Sequence, residues 1–201
     1  MSSADFKAHN MTPEEYLAWE ERQIERHEYL HGVLRSMSGG SWRHALICNN
    51  IAGEVRTHLK GTPCRSFSQS HRVEIEAGDA YLYPDVAIVC EEPLFGKQEA
   101  LQNPVVIFEV LSPSTERYDR AQKFRRYQTL QSLREYILVY QDIAQVEVFR
   151  RGNEGAWSII TYTLLEGLDA SLEIESAGIF LPLREVYEGV EFAEIPLEGE
   201  S

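Results

Sequence analysis

Two runs, YLYPDVAIVC (residues 81–90) and PVVIFEVLS (residues 104–112), constrain this chain more than any other feature in it. Each is apolar at consecutive rather than alternate positions, the pattern of strands covered on both faces. Each also carries one carboxylate, Asp85 near the start of the first run and Glu109 near the end of the second. An ionised carboxylate in such a run is costly unless it is paired or bound to metal, and two together need a cation. If the strands are antiparallel neighbours, both acids converge at one edge as hard oxygen ligands for Mg²⁺ or Mn²⁺, with the Val110 carbonyl as a further ligand.

The rest of the chain predicts helices and strands around these two. Thr12, Pro13 and Glu15 combine an N-cap hydroxyl, a proline at the first helical position and a capping-box carboxylate, so a helix starts there and is expected to run to about Arg26. Glu28 to Leu30 and Val33 to Met37 read as a tight hairpin about Gly32. A second helix is expected from Trp42 to Lys60, with Gly61 as its C-cap. A third is expected from Pro113 to Leu130. REYILVY and QVEVFRR follow as a hairpin, then strands near Ser158 to Leu164 and Ser171 to Ile174 and a short helix at Leu183 to Tyr187. The link from PVVIFEVLS through a helix to REYILVY has the length of a β-α-β unit, so those strands are candidates for parallel neighbours. The fold class is therefore mixed α/β (α+β), a central mixed sheet flanked by helices with an N-terminal helix and hairpin.

With 43% hydrophobic and 25% charged residues in 201, the chain has ordinary globular composition. The expected organisation is a flexible N-terminus (1–10), one domain (11–190) and an acidic C-terminal tail (191–201). No run approaches the roughly 20 apolar residues that span a bilayer, and the N-terminus lacks a signal-like pattern, so a cytoplasmic protein without membrane contact is expected. Cys48, Cys64 and Cys90 form no C-x-x-C pair and leave an odd count, which predicts reduced thiols and does not suit a structural zinc site. The formal net charge of −13 opposes loose binding to nucleic acid. That charge is uneven. Residues 115–134 carry Arg117, Arg120, Lys123, Arg125, Arg126 and Arg134 against Glu116 and Asp119. This stretch either faces a phosphate backbone, through Arg117, Arg120 and Arg126, or is a solvated helix face.

Asp119, Lys123 and Tyr127 fall four residues apart on one helical face, which would look back towards the Glu109 strand. A lysine there eases proton loss from a water polarised by a divalent ion, so that the oxygen attacks phosphorus in line. The same spacing is equally that of an exposed ion pair worth about 0.3 to 0.5 kcal/mol.

YPDVAIVC, PVVIFEVLSPSTERYDRAQKFRRYQTL and LREYILVY resemble the Uma-type restriction endonucleases, a bacterial branch of the PD-(D/E)XK nuclease superfamily, and EYLHGVLRSMSGGSWRHALI and LKGTPCRSF are similar to the same family. The resemblance implies a restriction-endonuclease-like core and a Mg²⁺- or Mn²⁺-dependent endonuclease acting on DNA, with Asp85 and Glu109 as metal-binding acids and catalytic residues. The superfamily's lysine two places after the second acid is Leu111 here, and the matching lysine is Lys123 on the following helix. Glu28 and His44 match family positions and imply a supporting carboxylate and a phosphate or water contact, beside Asp119 and Tyr127. Cutting both strands of a duplex favours a homodimer.

Two rival readings follow from the residues. The acidic surface and the missing E-x-K spacing fit a catalytically inactive nuclease-like scaffold that binds or assembles. His27-Glu28-Tyr29-Leu30-His31 is literally H-E-x-x-H, which on a helix would make a zinc hydrolase. Gly32 and the alternating VLRSM after it instead place the motif in a hairpin.

Overall fold

A computed structural model describes residues 6–8, 10–37, 40–152 and 157–192. In chain order it runs through β1 (Phe6–Ala8), α1 (Pro13–Glu20), β2 (His27–Leu30), β3 (Val33–Ser36), α2 (Trp42–His58), β4 (Arg65–Ser68), β5 (Val73–Ile75), β6 (Ala80–Leu82), β7 (Val86–Val89) and β8 (Val106–Leu111). Then come α3 (Glu116–Tyr118), a π turn (Asp119–Lys123), α4 (Phe124–Tyr127), β9 (Glu135–Tyr140), β10 (Gln145–Arg151), β11 (Trp157–Glu166), β12 (Ser171–Ile174), β13 (Ile179–Pro182) and α5 (Leu183–Val186).

β7 and β8 are buried interior strands of a six-stranded sheet of order β11-β10-β9-β8-β7-β4. They pair antiparallel, Val86 opposite Phe108 and Ile88 opposite Val106. β8 and β9 are parallel neighbours joined by the helical crossover. Alternation explains the unbroken apolar runs: Val86, Ile88, Val106, Phe108 and Val110 fill the core under α2, while Ala87, Val89, Ile107 and Leu111 fill a second core with Tyr127 and Tyr136. A five-stranded antiparallel sheet, β1-β3-β2-β6-β5, holds the β2/β3 hairpin. The chain passes from this sheet into the six-stranded one through Tyr83, Pro84 and Asp85. Pro84, which has no amide to donate, sits at that junction. β12 and β13 form a separate hairpin.

Several expectations are corrected. Within the stretch expected to be a flexible N-terminus, Phe6–Ala8 pair with Val33–Arg35 as an edge strand. The expected acidic tail lies mostly outside the described residues, which end at 192. α1 has its capping box, Thr12 amide to Glu15 at 2.8 Å and Glu15 amide to Thr12 at 3.2 Å, but ends at Glu20 rather than Arg26. The third helix is shorter than Pro113 to Leu130. The Ser-Pro-Ser-Thr segment forms a turn, with the amides of Thr115 and Glu116 on the Ser112 carbonyl, before helical structure begins at Glu116. Cys64 and Cys90 are joined in a disulfide, contrary to the expected reduced thiols, and Cys48 is free. The antiparallel pairing of β4 with β7 explains the bond. Arg65 lies opposite Val89, so the cysteines flanking that pair face each other. No helix among the described residues is long and apolar enough to cross a membrane.

Candidate active site

Lys123, the last residue of the π turn, delivers its amine to the junction of the two sheets. Nζ lies 2.9 Å from Glu109 Oε2 on β8, 3.0 Å from Glu28 Oε1 on β2, and donates to the Tyr83 carbonyl at 2.9 Å. Asp119, one turn back, is 4.0 Å away. Glu28, Glu109, Asp119 and Lys123 are all buried, so the exposed ion pair that the spacing also permitted is excluded. The β2/β3 register sets Arg35 directly opposite Glu28, and their side chains lie 3.7 Å apart.

Asp85 stands beside this cluster. Its Oδ2 accepts from the Val110 amide at 2.7 Å, tying it to the residue after Glu109, and its Oδ1 accepts from Gln69 at 3.0 Å. His44 Nε2 is 3.5 Å from Oδ2. The His44 ring comes from the first turn of α2, whose Ser41 cap accepts the His44 amide at 3.1 Å. Burial pushes the Asp85 carboxyl up, but His44, Lys123 and the Val110 amide more than offset it, so Asp85 is held below its ordinary value. Burial tends to lower His44, and Asp85 raises it past its ordinary value.

The rest of the cluster has more negative charge than it can balance. Burial pushes Glu109 well above the usual carboxylate range despite Lys123, with Asp119 and Asp85 adding to the rise. Burial raises Asp119 to about 6. Burial disfavours the Lys123 ammonium, yet Glu109, Glu28 and Asp119 overcome this and keep it protonated. Glu109 Oε1 is buried with no hydrogen-bond partner among the described residues. A buried acceptor without a donor costs about 1 to 3 kcal/mol. Hard carboxylate oxygens, surplus negative charge and that orphaned oxygen fit a divalent cation held by Asp85 and Glu109.

These groups floor a cleft of about 600 Å³ lined also by Ser112, Thr115 and Gln141. Of the residues singled out from the sequence, Asp85, Glu109, Val110, Lys123, Glu28, His44 and Asp119 all line it. Tyr127 is buried behind it in the second core. The three arginines expected at nucleic acid do not line it. Arg120 is clamped by Glu147, Tyr140 and Glu116, and Arg126 sits 3.6 Å from Glu76 and 3.8 Å from Asp79. Arg117 is exposed. The arginines that do reach the cleft, beside Lys123 and His44, are Arg26 and Arg35. Sequence reasoning missed Gln69, Cys48 and the Tyr83 carbonyl; Tyr83 carried a local signal in its place beside Pro84 and Asp85, Cys48 one in its four-residue spacing from His44 on a helix, and Gln69 none.

The five-residue H-E-x-x-H segment is strand and turn, not helix. His27 Nδ1 meets Glu20 at 3.2 Å, Glu28 turns to Lys123, and His31, at φ +47°, pairs with Asp79 at 2.6 Å. Extended backbone carries the two rings apart along the chain, at about 3.3 Å per residue, instead of setting them on adjacent helical turns, and each already faces its own carboxylate, so the zinc-hydrolase reading is overturned. Leu111, where the superfamily has its lysine, is packed in the second core.

A mixed sheet with helices on its faces and acids gathered at one strand junction defines a restriction-endonuclease-like protein. A crystal structure of a "putative nuclease belonging to DUF820" from Anabaena variabilis ATCC 29413 superposes with a TM-score of 0.70, covering 88% of this chain and 97% of that one at 17% identity. The chain belongs to the Uma2 family, described as "Putative restriction endonuclease", whose model matches residues 13–184. Two relatives from Synechocystis sp. (strain ATCC 27184 / PCC 6803 / Kazusa) are similar over most of their length. "Uncharacterized protein slr1290" is 34% identical over 90% of this chain and 94% of its own, and "Uncharacterized protein sll1609" is 33% identical over 81% and 92%.

Proposed function

We propose that this chain is a metal-dependent endonuclease that hydrolyses phosphodiester bonds in DNA. The observation that carries the reading is the meeting of the Lys123 amine with Glu109 and Glu28 beside Asp85, on the floor of an open cleft. Asp85 and Glu109 would hold Mg²⁺ or Mn²⁺, with the Val110 carbonyl as a further ligand. When bound, the cation supplies positive charge to the phosphate and makes a neighbouring water more acidic.

The remaining work falls to the chain's own groups. Lys123, held above its ordinary value by the surrounding acids and with its three N–H groups directed at Glu109, Glu28 and the Tyr83 carbonyl, is a poor proton acceptor; it serves by offsetting the charge that develops on the phosphate. Glu28 and the Tyr83 carbonyl fix the direction of the amine. His44, oriented towards Asp85 at the cleft wall, is placed to contact phosphate or to move a proton. Arg26 and Arg117 would meet the backbone at the rim. Two strands of a duplex call for two such sites, so a homodimer is expected.

The test is cleavage of plasmid and oligonucleotide DNA by purified protein with Mn²⁺, with Mg²⁺ and with chelator. Asp85→Ala and Lys123→Ala should each lose at least about a hundredfold in rate. Equal cleavage by wild type and Asp85→Ala would mark the activity as a contaminant and end the proposal.

The rival, a nuclease-like binding or assembly module, draws on the −13 net charge and on Arg120 and Arg126 being taken up by acids. Calorimetry separates them: a working site binds Mn²⁺ and loses that binding in Glu109→Ala, whereas a pure interaction module shows no binding to lose.

A further inference from the structure

Hard-ion chemistry at Asp85 and Glu109 leaves one neighbour without a role. α2 sets His44 and Cys48 one helical turn apart, and His44 Nδ1 lies 3.5 Å from Cys48 Sγ. The same ring reaches Asp85 through Nε2, also at 3.5 Å. Nitrogen, sulfur and carboxylate oxygen all lie within 4.8 Å of one another, and among the described residues this is the one group of three His, Cys, Asp or Glu side chains so gathered. Cys48 is a free thiol, buried in the wall behind the cleft-lining His44.

Such a donor set is unlike the one that Mg²⁺ selects. Thiolate and imidazole favour borderline-soft ions, whereas Mg²⁺ takes oxygen. Bonds of about 2.0 to 2.3 Å in a tetrahedral zinc site imply ligand atoms roughly 3.4 to 3.7 Å apart along its edges. The separation of His44 Nδ1 from Cys48 Sγ already falls there, and the Asp85 oxygen completes the set within 4.8 Å. Three protein ligands with the fourth position open to the cleft is also the pattern of accessible rather than structural zinc sites. One ring nitrogen would coordinate, leaving the other to hydrogen-bond. As the metal–sulfur bond forms, the Cys48 thiol releases its proton to solvent.

We propose that His44, Cys48 and Asp85 form a binding site for a borderline-soft divalent cation such as zinc, and that its occupancy withdraws Asp85 from the hard ion of the nuclease centre. The first half stands on these three residues alone; the second rests on the function proposed above. Together they give the centre a selectivity device, in which one carboxylate is shared between two ions that cannot both hold it.

Co²⁺ is the probe, because thiolate coordination gives it a near-ultraviolet charge-transfer band. Titrated into the full chain, Co²⁺ should produce this band. Cys48→Ser should abolish it, and Cys48→Ala should do the same, with circular dichroism confirming that both variants are folded. Zn²⁺ should bleach the band and weaken at least tenfold in binding to Cys48→Ser. Absence of the band in wild type, or its persistence in a folded Cys48→Ser, overturns the site. Competition is read separately, by Mn²⁺ electron paramagnetic resonance: Zn²⁺ should release Mn²⁺ from wild type and not from Cys48→Ser. A Cys48-dependent band without Mn²⁺ release overturns the sharing of Asp85 and keeps the site. The same band in a protein that cleaves no DNA overturns the nuclease reading and keeps the site.

Discussion

Two buried glutamates on the paired strands β8 and β9 meet opposite treatment. Glu135, at the start of β9 beside Val106, accepts from Arg150 at 3.0 Å, from the amides of Glu175 at 3.2 Å and Ser176 at 3.0 Å, and from the Ser176 hydroxyl. Glu109, three residues along β8 from Val106, shares one lysine with Glu28 and leaves Oε1 without a partner. They are equally buried, at 1% and 3% exposure, so burial does not tell them apart. Satisfaction does. A carboxylate whose lone pairs are filled by the protein holds the fold together; one left short in an open cleft stores a cost that a ligand can relieve.

Exchanging each glutamate for alanine puts the contrast under the greatest strain. Glu109→Ala should cut metal-dependent cleavage at least about a hundredfold while leaving the thermal midpoint close to that of wild type, because Lys123 keeps Glu28 and Tyr83. Glu135→Ala should do the reverse: a loss of about 1 to 3 kcal/mol in denaturant unfolding, from leaving the Glu175 and Ser176 amides and the Ser176 hydroxyl without their acceptor while Arg150 keeps Glu175 and the Glu173 carbonyl, with cleavage per folded molecule unchanged. If both variants lost stability equally and neither lost activity, the distinction would collapse.

A smaller effect separates the two regions by pH. Asp119 has its carboxyl raised from the ordinary 3.8 to about 6, chiefly by burial. The folded state therefore prefers it protonated, and its stabilising contribution is complete below the ordinary value and lost as pH rises through about 6. In metal-free protein the difference in midpoint between wild type and Asp119→Asn should shift steadily against wild type from acid to neutral pH. Mn²⁺ should reduce that difference at neutral pH by compensating the charge. A difference that stays flat with pH would show that Asp119 is ionised throughout.

Much of this frame was legible because its signals are local. The unbroken runs at 81–90 and 104–112 announced the paired central strands, and the Thr12 to Glu15 box announced the first turn of α1. The length of α1 was not legible, since Glu21 to Arg26 is compatible with helix and only tertiary contact decides: the Glu20 carboxylate takes the His27 amide at 2.8 Å and starts β2 instead. That Lys123 faces the Glu109 strand was legible in its four-residue spacing to Asp119, but the π turn that carries it was not, because no local pattern distinguishes i to i+5 bonding. Partners distant in sequence stayed hidden. Gln69 meets Asp85, and Cys64 meets Cys90, through the β4/β7 register, which one sequence does not print. The partners of Arg120 and Arg126 stayed hidden for the same reason, as the acids that hold them are Glu147 and Glu76 with Asp79.

The sharpest small test lies inside the His27 to His31 segment, where Glu28 belongs to the cleft and His31, three residues on, to a turn. Glu28→Gln keeps shape but removes one charge facing Lys123, so it should slow cleavage and leave the fold intact. His31 sits with Gly32 at positive φ, +47° and +85°, the pair of left-handed positions that a two-residue hairpin turn requires and that Asn-Gly fills best. His31→Asn should therefore keep cleavage and Mn²⁺ binding at wild-type levels and change stability by no more than about 0.5 kcal/mol, read in urea unfolding, since the easier backbone of asparagine is offset by loss of the half-exposed Asp79 contact. Loss of metal binding in His31→Asn would restore a ligand role to the histidine and place the metal site at the wrong end of the hairpin.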